Sequence, residues 1–143
     1  MSRSSSISGP SLVISGPTGP LFTVGLTALR TVVGRRPPAI AERLIDSRQP
    51  DDRLALYQWT VDDTHYVVMP RLVTLSRTQL TIERSRDASG QLAFTVIDDH
   101  SCGGTFVNDE RISRTRRLSH GDEIQSGGLS LRFSSPEACE EPS

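Results

Sequence analysis

The stretch from 79 to 108 decides the fold class: Gln79-Leu-Thr-Ile-Glu83, Ala88-Ser-Gly90, Ala93-Phe-Thr-Val-Ile97, Cys102-Gly-Gly104, Thr105-Phe-Val-Asn108. β-prone residues alternate with turn residues throughout. Leu80 and Ile82 are separated by a polar residue, and a period of two marks a strand with one face buried. The same rhythm extends outward in both directions. Ser11-Leu-Val-Ile-Ser15, Leu21-Phe-Thr-Val-Gly25 and Leu29-Arg-Thr-Val-Val33 precede the stretch, and Leu129-Ser-Leu-Arg-Phe133 follows it. His120-Gly-Asp122 and Ser126-Gly-Gly128 supply further turns. Many short strands with little helix predict an all-β sandwich or barrel.

The 143 residues suffice for one domain, predicted over 11–134, between a flexible Ser-rich leader (1–10) and an acidic, disordered tail (135–143). Aromatics make up only 5% of the chain, so the core must rest on Leu, Ile and Val. A net charge of −1 argues against direct nucleic-acid binding, which selects basic faces. No apolar run approaches the ~20 residues of a membrane helix, and the sequence reads as soluble and intracellular, in cytoplasm or nucleus. A monomer is expected. Within this frame, 39–48 has the spacing of a short helix, with Ile40 and Leu44 on one face. Leu54–Val61 and His65–Met69 read as a hairpin around Asp62-Asp63-Thr64.

Catalysis finds little support. The three histidines lack partners at metal-ligand spacing, and two cysteines alone build no zinc site, so neither metal nor cofactor is expected. Asp98-Asp99-His100-Ser101-Cys102 holds a carboxylate, a base and a nucleophile. Neighbours in one turn rarely face each other as a nucleophile and its base must. A polar inter-strand loop is the better reading, and no enzyme is predicted. All sixteen basic residues are arginine, so any phosphate must be held by guanidinium groups or backbone amides. Gly34-Arg-Arg36, Ser76-Arg77 and Ser101-Cys-Gly-Gly104 each follow a predicted strand and gather such donors. Loops at one end of a sandwich cluster in space even when distant in sequence.

Four stretches in this order resemble the forkhead-associated (FHA) family: Val32-Val-Gly-Arg35, Leu75-Ser-Arg-Thr-Gln79, Asp99-His-Ser-Cys-Gly-Gly-Thr-Phe-Val-Asn108 and Leu118-Ser-His-Gly-Asp-Glu-Ile124. The resemblance runs from about Ser11 to Phe133. It implies an eleven-stranded β-sandwich that binds phosphothreonine peptides through loops at one end. By position it implies that Arg35 grips the phosphate, Ser76 hydrogen-bonds it, and Arg77 contacts phosphate or peptide. Cys102 and Gly103 fall at the third loop's contact positions. Gly34, Gln79, Gly104, Thr105 and Asn108 fall at positions that shape the loops.

The departures are specific. Gln79 stands where the family has a bracing histidine, and Asp109 where it has a turn glycine. Gly103 replaces the asparagine that holds the peptide backbone, and Cys102 is a weaker donor than Ser or Thr. Residues 39–70 read as an insertion between the Gly-Arg and Ser-Arg loops, with six acids (Glu42, Asp46, Asp51, Asp52, Asp62, Asp63) against three arginines. That balance suggests a solvated decoration, with a second contact surface carrying Tyr57 and Trp59 as the alternative. The Arg111/Arg114/Arg116/Arg117 cluster reads as a charged edge strand or, alternatively, a patch for an acidic partner. The sequence thus implies recruitment of a phosphothreonine-bearing partner protein. A diverged module binding a protein independently of phosphate is the second reading.

Overall fold

The computed structural model describes residues 9–16, 19–35, 57–69, 74, 76, 78–99, 101 and 103–135. These form two six-stranded sheets packed face to face. β1 (Ser11–Gly16), β2 (Gly19–Gly25), β8 (Thr105–Val107), β9 (Glu110–Arg111), β11 (Glu123–Ser126) and β12 (Leu129–Ser134) make the first, in the order β2-β1-β12-β11-β8-β9. β3 (Arg30–Gly34), β4 (Tyr57–Val61), β5 (Thr64–Val68), β6 (Leu80–Arg86), β7 (Leu92–Asp98) and β10 (Thr115–Arg117) make the second, ordered β10-β7-β6-β3-β5-β4. Every pairing is antiparallel except β3 with β5. Alternation builds the core: along β12, Leu129, Leu131 and Phe133 are buried while the residues between them are not. Phe94 of β7 and Phe133 of β12 meet across the sheets with ring centroids 5.2 Å apart, among Leu, Ile and Val.

Several expectations need correction. The described residues form twelve strands rather than eleven, because two-residue β9 closes a hairpin onto β8. β11 was not separated in the sequence; it is four residues long and begins directly after the Gly121-Asp122 turn. The end of the presumed insertion is structural: β5 lies beside β3, and Val67, Val68 and Met69 are fully buried. Only the β4 side of this hairpin is a sheet edge. Both ends of the described strands are tied down. The Pro10 carbonyl accepts from Leu26 N–H at 2.9 Å, and Ser135 is buried with its N–H on His120 Nδ1. The short helix at 39–48 lies outside the described residues.

Sheet direction positions the loops. β6 is antiparallel to both β3 and β7, so the end of β3, the start of β6 and the end of β7 share one end of the second sheet. From there the chain crosses to β8 in the first sheet, where Thr105 pairs with Ser126 at the end of β11.

Candidate functional site

Gly34 closes β3, and its carbonyl accepts from Met69 N–H at 3.0 Å. Arg35 follows, half-buried, and its N–H donates to the Ser76 carbonyl at 3.0 Å. Gln79 N–H donates to the Val33 carbonyl at 2.8 Å, returning the chain to the sheet. Arg35 and Ser76, far apart in sequence, are therefore joined directly by their backbones.

Gln79 braces this junction from below. Its side chain is only 1% exposed, and Oε1 accepts from Ser76 N–H at 2.7 Å. Nε2 donates to Ser126 Oγ at 2.8 Å, and Ser126 Oγ lies 2.8 Å from Thr105 Oγ1. Thr105 Oγ1 in turn donates to Asp98 Oδ1 at 2.8 Å. An ionised carboxylate only accepts, so the single Thr105 proton goes to Asp98 and Ser126 donates to Thr105. Ser101 Oγ donates to the same Asp98 oxygen at 2.6 Å and accepts from Gly104 N–H at 3.1 Å. The result is a polar chain running beneath the loops from Ser76 to Gly104. All its protons point one way, toward Asp98, so each bond polarises the next.

The third loop is shaped by glycine. Gly104 is buried at φ +83°, and a Cβ there would come within 2.9 Å of Arg111 Nε. Gly103 is exposed, with nothing within 4 Å of where its Cβ would stand. Beyond the loop, Thr74 Oγ1 donates to the Gly127 carbonyl at 2.7 Å. A cleft of about 380 Å³ opens between the third loop and the β11–β12 turn, lined by Gly103, Gly104, Phe106, Gln125, Gly127 and Thr74 among others. Asn108 acts at the back of the hairpin. Its Nδ2 donates to Asp122 Oδ1 at 2.9 Å, and its Oδ1 accepts from Glu123 N–H at 3.0 Å.

Of the residues singled out in the sequence, Gly34, Arg35, Ser76, Gln79, Gly104 and Thr105 thus belong to one connected assembly, with Gly103 on its rim. Asn108 supports the hairpin behind it. Arg77 and Cys102 lie outside the described residues. In the would-be reactive cluster, Ser101 Oγ is committed to Asp98, and Asp99 Oδ2 accepts from Thr81 Oγ1 at 2.8 Å; both act as loop supports. Ser126 was missed in the sequence. It shares strand parity with buried Ile124, so the period of two already sends its hydroxyl to the core face.

Two packed, mostly antiparallel sheets with a braced, donor-rich loop cluster at a common end define a β-sandwich. The FHA domain family model matches residues 31–127, and the chain belongs to this family. Solved structures agree in fold. An FHA domain of the CT664 protein from Chlamydia trachomatis superposes with a TM-score of 0.57 at 15% identity, covering 90% of this chain and 98% of that one. The yeast Pml1 splicing factor gives 0.57 at 24% identity, over 88% and 78%. The FhaA FHA domain, solved in complex with the intracellular domain of Rv3910, gives 0.51 at 21%, over 87% and 98%. No curated protein matched the sequence. FHA domains are generally phosphothreonine-binding interaction modules rather than enzymes. Among the described residues no helix is long and apolar enough to cross a membrane.

Proposed function

We propose that this chain is a non-enzymatic module that recognises phosphothreonine on a partner protein, working as a soluble intracellular monomer. The observation that carries this reading is the direct backbone junction of Arg35 with Ser76, braced by Gln79. A guanidinium and a hydroxyl on adjoining loops suit a dianionic phosphate, which rewards charge-assisted, bidentate hydrogen bonds. Arg35 is assigned to the phosphate, with Ser76 as a second donor. Arg77, Cys102 and Gly103 are assigned to phosphate or peptide contacts from the flanking loops.

Matched phosphothreonine and unmodified peptide libraries, titrated into wild type and Arg35→Ala, test this reading. Wild type should prefer the phosphorylated library. Loss of a cation facing a partly desolvated phosphate costs roughly 2–5 kcal/mol, so Arg35→Ala should lose more than tenfold in affinity while melting normally. Equal binding of both libraries by wild type would overturn the reading. Gly103, exposed and without a side chain, is the observation that favours a phosphate-independent partner in that event.

A further inference from the structure

β7 is longer than the strand that covers its edge. β10 pairs with it only from Thr115 to Arg117, opposite Ile97 to Thr95, and the last bond runs from Leu118 N–H to the Phe94 carbonyl at 2.8 Å. The chain then leaves this sheet. Ser119 N–H donates to Asp122 Oδ2, and Gly121 N–H to the Phe133 carbonyl of β12, both at 2.8 Å. β7, however, begins at Leu92, two residues before Phe94. At the other end of β7, Asp98 N–H donates to the Arg114 carbonyl, so the even-numbered residues turn their backbone groups toward β10. Leu92 has the same parity, and no described residue pairs with it on that side.

A cleft of about 510 Å³ lies at this gap. Leu92, Phe94 and Leu118 give it an apolar floor continuous with the core. Gln91, Arg117, Ser119 and His120, all exposed, give it a polar rim. Each rim side chain can donate a hydrogen bond. His120 Nδ1 accepts from Ser135 N–H at 3.0 Å, which leaves the ring proton on Nε2, and Nε2 has no partner among the described residues. Arg117 gives Nη2 to Asp87 at 3.3 Å and keeps the rest of its fork. No residue lining the cleft is acidic. An unpaired strand edge beside an apolar floor suits an extended backbone, and a rim of donors without an acid suits a carboxylate.

We propose that this gap docks an extended segment of a partner protein, which adds a short strand beside Leu92 and sets an acidic side chain among Arg117, Ser119 and His120. The site stands apart from the loop cluster: Leu92 and Asp98 lie at opposite ends of β7, about 20 Å apart at ~3.3 Å per residue. A segment bound there does not cover Arg35 or Ser76, and its binding is independent of the phosphothreonine reading.

Three seven-residue peptide libraries, titrated into the full chain, test this. Each places β-branched residues around a fixed centre: Glu, Gln, or Glu with N-methylated neighbours. Amide NMR spectra locate the site and fluorescence anisotropy measures affinity. The Glu library should shift the signals of Leu92, Phe94, Ser119 and His120 while leaving those of Arg35 and Gln79 in place. A Gln centre should weaken binding roughly tenfold, and N-methylation, which removes donors that a strand ladder needs, should abolish it. Arg117→Gln and His120→Phe should each narrow the difference between the Glu and Gln libraries, whereas Arg111→Gln, at the other end of the sandwich, should not. Thermal melts confirm that these exposed substitutions leave the fold intact. No shifts, shifts confined to the Arg35–Ser76 junction, or equal binding of all three libraries overturns the proposal. So does a Glu preference that survives Arg117→Gln combined with His120→Phe. Binding that appears only in a Glu137→Gln, Glu140→Gln, Glu141→Gln variant also overturns it, since the chain's own acidic residues would then be the occupant.

Discussion

Gln79 shows how one buried side chain can couple two loops. Its amide is 1% exposed and satisfied at both ends, on Ser76 N–H and Ser126 Oγ. Gln79→Leu keeps most of the volume but removes both bonds, leaving the Ser76 amide without its partner and the Ser126 hydroxyl with Thr105 alone. Such losses cost about 1–3 kcal/mol, so urea unfolding should show a stability drop of about 2 kcal/mol with an unchanged m-value. The loop carrying Ser76 should also loosen, so peptide affinity should fall even where the folded fraction is complete. Unchanged stability in Gln79→Leu would mean that the polar chain carries no net energy. The reach of this residue explains what was legible. Gly34-Arg35, Ser76 and Gln79 could be read because each belongs to a short local pattern. The continuation through Ser126, Thr105 and Asp98 could not, because hydrogen-bond partners 47 and 21 positions apart leave no local signature. Parity puts Ser126 and Thr105 on the inner face, but it cannot say which polar group each one meets.

At the scale of elements, the β8–β9 hairpin is the clearest link from sequence to geometry. Asn108 and Asp109 both have positive φ, 51° and 71°, as a two-residue type I′ turn requires. Asn and Asp tolerate that region better than other side chains, which is how Asp109 fills a position where the family has glycine. Asn108 does more, since its amide ties the turn to Asp122 and Glu123 at the start of β11. Asn108→Ala removes two hydrogen bonds and adds left-handed strain, and should cost about 1–3 kcal/mol. Asp109→Gly should cost nothing, since glycine adopts this conformation freely. Equal melting losses in the two variants would show that turn strain, not the Asn108 clasp, dominates. The β4–β5 hairpin was legible by the same kind of local signal. Its placement beside β3 was not, because a period of two identifies a strand without naming its neighbour. A parallel partner, which needs a long crossover, is the least local pairing of all.

For the sandwich as a whole, His65 on β5 and Asp87 in the β6–β7 turn both contribute to the response to acid. His65 on β5 lies between Thr60 and Gln58, with Nδ1 2.9 Å from Thr60 Oγ1 and Nε2 2.9 Å from Gln58 Oε1. Burial lowers its pKa below the usual 6.5 because the charged ring is poorly solvated there. Asp87 caps the β6–β7 turn, accepting from the Ser89 hydroxyl, Gln91 N–H, Ser89 N–H and Arg117. Led by the Ser89 hydroxyl, these bonds hold its pKa down at about 2, against an ordinary 3.8. Both shifts make the unfolded chain the better proton acceptor, so each contribution falls as acid is added. The His65 contribution is complete above pH 6.5 and declines as pH drops from there toward its lower folded value. The Asp87 contribution is complete above about pH 4 and is lost between 3.8 and about 2. Stability measured by urea unfolding should therefore fall in two stages with acid. His65→Gln, which carries no titrating ring, should flatten the upper stage and leave the lower one. Asp87→Asn should lower stability at pH 7 and flatten the lower stage, because its amide cannot regain charge-assisted bonds at any pH. A profile for Asp87→Asn that parallels wild type between pH 4 and pH 2 would show that the turn's hydrogen bonds to Asp87 do not favour its charged form.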